Sequence, residues 1–462
     1  MKSATFYPDA SRYRTRERSS NRSNARSAPS QLAFNVALLV LGVGLGVSLG
    51  LPLVDGTLTE LKGAGGIATF IGSITGLVGT YLALLMVVFA SRMPALERVL
   101  GQVGVIRWHR NLAPWPIILI TIHAVLITIG YAEAAKQGFF AYAGVLINTF
   151  PHIVTATVAL AVMLFIGIIS IKPIRIRIAR ENWWLVHLLM YVALILAFAH
   201  EVVLGPSFVK HPLAQYTWTG AWLVVAGLIL VFRIGLPIYR SFRYKLKVVE
   251  VKPEGPGVVS VILKGRNLEK LKIQGGQFFE WRFLTKGMWW QAHPFSISAL
   301  PEPPYLRMTV RGVGDFSRAL SDVKVGTPVA IEGPYGSFTA ASTKNLKVLL
   351  VAGGVGVTAI RSLLEDLAPK SKPVVILRAN REDEVILGDE VEEIVRHKKG
   401  IVHRLIGDIS EVSLDVIPVL VPDITERDVF ICGSEGFVNQ VQLAVLRVGV
   451  PFRAIHEEAF SL

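Results

Sequence analysis

The 462-residue chain contains a single cysteine, Cys432, so it can form no internal disulfide and cannot hold an iron–sulfur cluster on thiolates. Any electron carriers must therefore be organic or haem. No internal repeat of fixed period is evident, and the first thirty residues lack an apolar stretch. They hold seven Lys or Arg among many Ser and Asn, which reads as a disordered basic tail over 1–31 and not as a cleavable secretory signal.

What is abundant is hydrocarbon. Hydrophobic residues make up 52% of the chain and the mean hydropathy is +0.49, too apolar for a wholly soluble protein. The second half nonetheless reads as an ordinary globular mixture, so a membrane domain followed by soluble domains is expected. Six runs, at 32–53, 66–90, 112–131, 148–171, 183–204 and 217–238, are long enough to span ~30 Å of hydrocarbon.

The net charge of +14 sits mainly in the tail and in short loops between these runs, which argues for membrane orientation and against nucleic-acid binding. Arg92, Arg98, Arg107 and Arg110 lie between spans two and three, and Lys172, Arg175, Arg177 and Arg180 between spans four and five. The opposite loops carry only Lys62, Lys136 and Lys210. A multi-pass protein of an inner or plasma membrane is expected, with the N-terminus and everything after residue 239 in the cytoplasm.

Four histidines lie in the apolar segments as two pairs with intervals of 14 and 13 residues: His109 and His123 in one helix, His187 and His200 in another. At ~1.5 Å per residue the members of each pair are about 20 Å apart along the axis. Spans three and five both start in the cytoplasm under the loop-charge topology, so they run parallel and their histidines align in depth. His109 with His187 makes an inner site and His123 with His200 an outer one, each suited to one haem. A lone buried histidine can be satisfied by a neighbouring helix, but four at matched depth favour ligation. A proton relay would need interleaved acids, and spans three and five have none between their histidines. Zinc would need clustered ligands. His152 and His211 read as solvated residues near the outer surface.

Beyond residue 240 short alternating strands such as 244–251, 258–263 and 277–283 indicate a small antiparallel β-barrel ending near 338. From 339 to 462 strand and helix alternate, as in a doubly wound parallel sheet. In the barrel, His293-Pro294-Phe295-Ser296, followed by Ile297-Ser298, can set an aromatic ring near an isoalloxazine and a hydroxyl near a flavin nitrogen; a plain His-Pro turn is the alternative. Arg311, Gly314, Asp315, Phe316 and Ser317 open a short helix whose N–H groups can hold a pyrophosphate, or are simply capped. Gly353, Gly354, Gly356 and Thr358 form a strand–turn–helix glycine loop for a dinucleotide phosphate. Arg378 and Arg381 end the next strand, where two cations can pair with a 2′-phosphate and favour NADPH; solvated pairing with Glu382 and Asp383 is the rival. Cys432 and Gly433 end a late strand at the ligand edge of the sheet. Cys432 can lie near a nicotinamide or be a structural thiol, and Phe460 can cover the flavin or pack in the core.

Together the chain resembles the ferric reductase and NADPH oxidase superfamily from residue 32 onward, as a compact prokaryotic member. The motifs are the paired histidines, HPFSIS at 293–298, RGVGDFS at 311–317, EGPYG at 332–336, GGVGVT at 353–358, ICGS at 431–434 and EEAF at 457–460. The resemblance implies a six-helix transmembrane bundle (32–239) followed by a ferredoxin-reductase-like module. That module comprises an FAD-binding barrel (240–338) and an NAD(P)-binding α/β domain (339–462). It implies two b-type haems, FAD and NADPH, with Cys432 beside the nicotinamide and Phe460 against the flavin. Electrons would pass from NADPH through FAD and the haems to an acceptor across the membrane. Oxygen, giving superoxide, is the first acceptor expected; a ferric chelate or a periplasmic protein partner are the alternatives. Animal superoxide-producing relatives place a histidine where Ile127 stands here and an arginine in an early span, and span one here has none. No acidic calcium-binding loop is present, so calcium gating is not expected.

Overall fold

Side chains that are apolar on every face need lipid rather than a core, and Ile195, Leu223 and Val224 point outward from their helices. The computed structural model describes residues 31–54, 61–209, 211–408 and 414–460; the basic tail and Lys210 lie outside them. Helices α1 (Gln31–Val54), α2 (Gly66–Ala90), α3 (Pro94–Leu112), α4 (Pro114–Ala135), α5 (Phe139–Thr149), α6 (Ile153–Ser170), α7 (Arg180–His187), α8 (Leu189–Leu204) and α9 (Pro212–Ile229) build the apolar unit. Among the described residues, five stretches are long and apolar enough to cross a membrane: Gly66–Ala90, Gly104–Ala135, Ile153–Ser170, Arg180–Leu204 and Pro212–Tyr244. The segment expected as span one is helical, but its apolar part at Leu41–Val54 is shorter than these.

The expected helix carrying both His109 and His123 is divided. Pro114 has no N–H to donate, and α3 ends at Leu112 before α4 begins. Ala113 between them keeps helical dihedrals (φ −54°, ψ −32°), so the chain continues in nearly the same direction. His187 likewise closes α7, with Leu188 at φ −63°, ψ −22° before α8. Glycine brings α2 and α4 together: a Cβ at Gly130 would sit 2.2 Å from Thr69 Oγ1, and one at Gly79 would sit 2.8 Å from Ile120. Only a residue without a side chain permits that approach.

The chain divides into two compact units after Gly235. In the second, α10 (Leu236–Tyr244) leads into six antiparallel strands: β1 (Leu246–Gly255), β2 (Val258–Lys264), β3 (Phe278–Phe283), β4 (His293–Ser296), β5 (Tyr305–Arg311) and β6 (Pro328–Tyr335). Their order is β4-β3-β6-β1-β2-β5, and a bridge between Ile297 and Met308 joins the two edges. Alternate side chains of β3, namely Phe279, Trp281 and Phe283, point into the shared core with Leu263, Met308 and Ile331. Helix α11 (Asp315–Ala319) follows β5.

The parallel sheet has the order β11-β10-β7-β8-β9, from β7 (Lys347–Gly353), β8 (Val374–Ala379), β9 (Ile401–Ile406), β10 (Arg427–Ser434) and β11 (Ile455–Phe460). Helices α12 (Val357–Asp366), α13 (Gly388–His397) and α14 (Glu435–Arg447) cover it. Its central strands are buried on both faces, Leu350 in one core and Leu349 in the other. Helix α13 starts only at Gly388, because 382–384 form a tight turn and Leu387 takes φ +53°.

An ion ladder ties barrel to sheet. Arg307 of β5 donates to both oxygens of Glu390 on α13 at 2.8 Å, and Arg361 of α12 donates to the same carboxylate at 2.7 Å. Arg361 also pairs with Glu365 at 2.7 Å, whose carboxylate accepts the Leu300 backbone N–H at 2.6 Å.

Candidate functional site

The four histidines meet in the pairs that equal depth requires. His109 and His187 have ring centroids 6.3 Å apart at 68°; His123 and His200 are 6.1 Å apart at 59°. Pairing 109 with 187 and 123 with 200 means the two histidine-bearing stretches run in the same direction. A metal atom shared by two imidazoles at ~2 Å per bond would set the centroids about 6 Å apart, which both pairs match.

Helix α2 orients these rings. The Gly72 carbonyl accepts from His123 Nδ1 at 2.8 Å, leaving Nε2 as the ligating nitrogen. Fourteen residues further along the same helix the Met86 carbonyl faces His109, though without closing a hydrogen bond. Gly76 makes room for the outer ring, since a Cβ there would lie 2.6 Å from His123 Nδ1. The Nδ1 atoms of His187 and His200 are buried with no hydrogen-bond partner. Two buried imidazole pairs at this spacing have the donor set that would hold a haem iron.

One residue here escaped sequence reasoning. Glu201, next to His200, accepts from Thr80 Oγ1 of α2 at 2.7 Å and from Trp218 Nε1 of α9 at 3.0 Å, fastening three helices. The search for acids between the histidines of each span passes over it, because it lies one position beyond the outer ligand.

In the barrel, β3 pairs His293 with Trp281 and Ser296 with Phe278. His293 stacks on Phe316 at 4.0 Å and 26°, and Phe295 lies nearly parallel to the same ring at 6.3 Å. Pro294 is exposed on the strand between them. Ser296 is buried, and its hydroxyl has no hydrogen-bond partner, as expected of a group meant for a ligand. Ser298 is different. Its hydroxyl accepts from Thr309 in a buried chain that also includes Ser260, and its carbonyl accepts from Arg307, so it is occupied by the protein. The turn after Arg311 is also occupied in part: the N–H groups of Val313 and Gly314 both donate to Ser317 Oγ, and Asp315 pairs with Arg318. That is the capped arrangement left open by the sequence.

The glycine loop runs from β7 through Gly354–Gly356 into α12. Two of its glycines serve packing. A Cβ at Gly353 would strike Phe437, and one at Gly356 would sit 2.1 Å from the Cys432 carbonyl; Gly354, at φ +54°, faces open space. Thr358 hydrogen-bonds back to the Val355 carbonyl at 2.9 Å. Cys432 is fully buried in an apolar cluster against which Phe460 packs, and burial pushes its thiol up. Gly433 fits beneath Phe437.

Opposite Cys432 in the parallel register stands Glu458, a second residue the sequence reading did not assign. Its Oε2 is buried without a partner, and burial pushes its carboxyl up to about 8. The two arginines behind the NADPH expectation part company. Arg378 is buried and bonds the Ala379 and Leu405 carbonyls, whereas Arg381 is exposed and paired with Asp383 at 3.1 Å. A strand buried on both faces turns its last cation back onto backbone carbonyls, leaving Arg381 as the one near solvent.

A family profile described as a ferric reductase like transmembrane component matches residues 75–198, and an FAD-binding domain matches residues 242–339. The chain thus joins a ferric-reductase-like transmembrane component to an FAD-binding domain. The two domains together in one chain fit the ferric reductase and NADPH oxidase superfamily. A ferric/cupric reductase transmembrane component of Candida albicans is 24% identical over 313 residues, 64% of this chain and 38% of that protein. A flavohemoprotein of Bacillus subtilis is 26% identical over 238 residues, 47% of this chain and 59% of its own. The chain therefore spans less than two thirds of either relative. The FAD/NAD-binding domain of a nitric oxide dioxygenase from Vibrio cholerae is 25% identical, with a TM-score of 0.41, over 47% of this chain and 98% of that one.

Proposed function

We propose that this protein carries electrons from cytoplasmic NADPH across a membrane to an external acceptor, with FAD in the barrel and one b-type haem at each histidine level. The observation that carries the proposal is the match between two imidazole pairs, 6.3 and 6.1 Å apart, at the spacing a shared iron requires. Bound flavin would convert hydride chemistry into single electrons and the haems would relay them.

The chain's own residues provide the setting. His109 with His187, and His123 with His200, would each hold one haem, and with both imidazoles engaged the haem would supply electron transfer without a site for the acceptor on the metal. Ser296 offers its unpartnered hydroxyl to the flavin, and the parallel rings of Phe295, Phe316 and His293 line the adjoining strand. The Gly353–Gly356 turn would hold the dinucleotide phosphates on backbone N–H groups, Arg381 would bind the 2′-phosphate, and Phe460, packed against the Cys432 cluster, would lie between flavin and nicotinamide sites. Basic loops hold the nucleotide-binding half in the cytoplasm, and the helix at Gln31–Val54 completes a six-span bundle.

Oxygen is the acceptor we favour and a ferric chelate the second reading. The test is anaerobic NADPH addition to the purified protein while following the haem spectrum, then admission of oxygen or ferric chelate. Haem reduction followed by faster reoxidation with one acceptor identifies it. A protein without b-type absorbance refutes the proposal.

A further inference from the structure

Next to the His109/His187 level three planar groups are stacked in series. The Trp183 ring lies one helical turn before His187 and stacks on its imidazole at 4.7 Å between centroids and 25° between planes. The Arg175 guanidinium lies over the Trp183 ring, 4.4 Å from its centroid. Both outer members are anchored: Trp183 Nε1 donates to Ser170 Oγ at 3.1 Å, and Arg175 donates to the Ile178 carbonyl at 3.1 Å. The second histidine level has no such series among the described residues; His200 meets only the His123 ring.

We infer that Trp183 and Arg175 are positioning residues for the His187 ligand and raise the reduction potential of its haem. The inference rests on the haem reading above. Two physical effects follow from the stack. A large aromatic plane against the imidazole limits rotation about the bond to the metal and so holds the 68° ring angle within this pair. A permanent cation held at fixed distance, with an aromatic ring rather than water between it and the ligand, favours the ferrous state, because reduction lowers the charge of the iron site by one. Arginine stays protonated at all working pH values, so the bias is constant. An aromatic residue of the membrane interface can also serve as a depth anchor, but an anchor would not discriminate between the two haems.

The experiment uses the full haem-loaded chain and reads potentials and ferric-haem EPR, neither of which depends on turnover. In spectroelectrochemical titration, R175Q is expected to move one of two reduction waves to lower potential and leave the other in place, with the EPR signals unchanged. W183L is expected to shift the same wave and to alter one EPR signal, reporting a turned imidazole; W183F, which keeps a ring against His187, restores that signal. Waves identical to wild type in both R175Q and W183L overturn the inference, and so does an equal shift of both waves. If W183L fails to fold, R175Q alone decides. A wild-type protein without two haem waves defeats the haem reading itself, an outcome distinct from two waves that ignore Arg175.

Discussion

His123 Nδ1 and the Gly72 carbonyl oxygen are 2.8 Å apart. A carbonyl can only accept, so the proton resides on Nδ1 and the lone pair on Nε2 is available to a metal. The tautomer of His123 is thereby fixed by a backbone group on a neighbouring helix. Replacing His123 or His200 with Ala should halve the b-type haem per polypeptide in a pyridine haemochrome assay and stop electron flow to external acceptors. Undiminished haem content in both variants would refute the assignment.

Gly76 gives a sharper test of the same site. A Cβ there would lie 2.6 Å from His123 Nδ1, whereas one at Gly144 meets nothing within 4 Å. Gly76→Ala should displace the ring and lose one haem, while Gly144→Ala should retain both. Equal haem content in the two variants would mean the ring has room to move.

Cofactor preference should depend on Arg381 and not on Arg378. The exposed Arg381 guanidinium can exchange its Asp383 contact for a phosphate, and losing a charge-assisted pair of that kind is worth about tenfold. Arg381→Ala is expected to lower the ratio of kcat/KM for NADPH over NADH by about that factor. An unchanged ratio would assign discrimination elsewhere.

The ion ladder should show itself in acid. Burial pushes the Glu390 carboxyl up, but hydrogen bonds and charge from Arg307 and Arg361 outweigh it and bring it down to about 2 from 4.5. A depressed carboxyl stabilises the fold above its unfolded value and loses that contribution as pH falls, here from about 4.5 to about 2. Glu390→Gln removes the charge that Arg307 and Arg361 share, leaving Glu365 as the carboxylate partner of Arg361, and should cost about 3 kcal/mol at neutral pH. In chemical denaturation the gap between variant and wild type should narrow from about pH 4.5 and close near about pH 2; a gap independent of pH would exclude the charge as its origin.

Glu458 has the opposite sign. Its carboxyl, raised to about 8 by burial, is neutral in the fold at pH 7, so stability is full below about 4.5 and is lost as pH rises through 8. Glu458→Gln should remove that downward slope between pH 5 and 8. Parallel stability curves for variant and wild type would show that the carboxyl ionises normally.

The histidine ladder was legible because helical spacing and loop charge are local properties, and together they fix which rings can share a level. The order of strand, glycine turn and helix at Lys347–Asp366 was legible for the same reason. Glu201 was not, because its partners Thr80 and Trp218 are 121 and 17 residues away and only tertiary packing joins them. Ser298 and Arg378 sit in motifs of the right type, but Ser298 is held by Thr309 and Arg307 in the bend after β4, and a strand buried on both faces turns Arg378 onto backbone carbonyls. The break at Ala113 was written in Pro114; the apolar periodicity running through it masked the missing donor.

The carboxylate of Glu390 is held by one guanidinium from the barrel and another from the nucleotide-binding sheet. Swinging the two apart would take the Arg307 guanidinium from a carboxylate that is only 26% exposed and leave it to Arg361. One carboxylate thus couples the strand that precedes the Gly312–Gly314 turn to the helix that follows the glycine loop, so a strain applied at either turn is felt at the other.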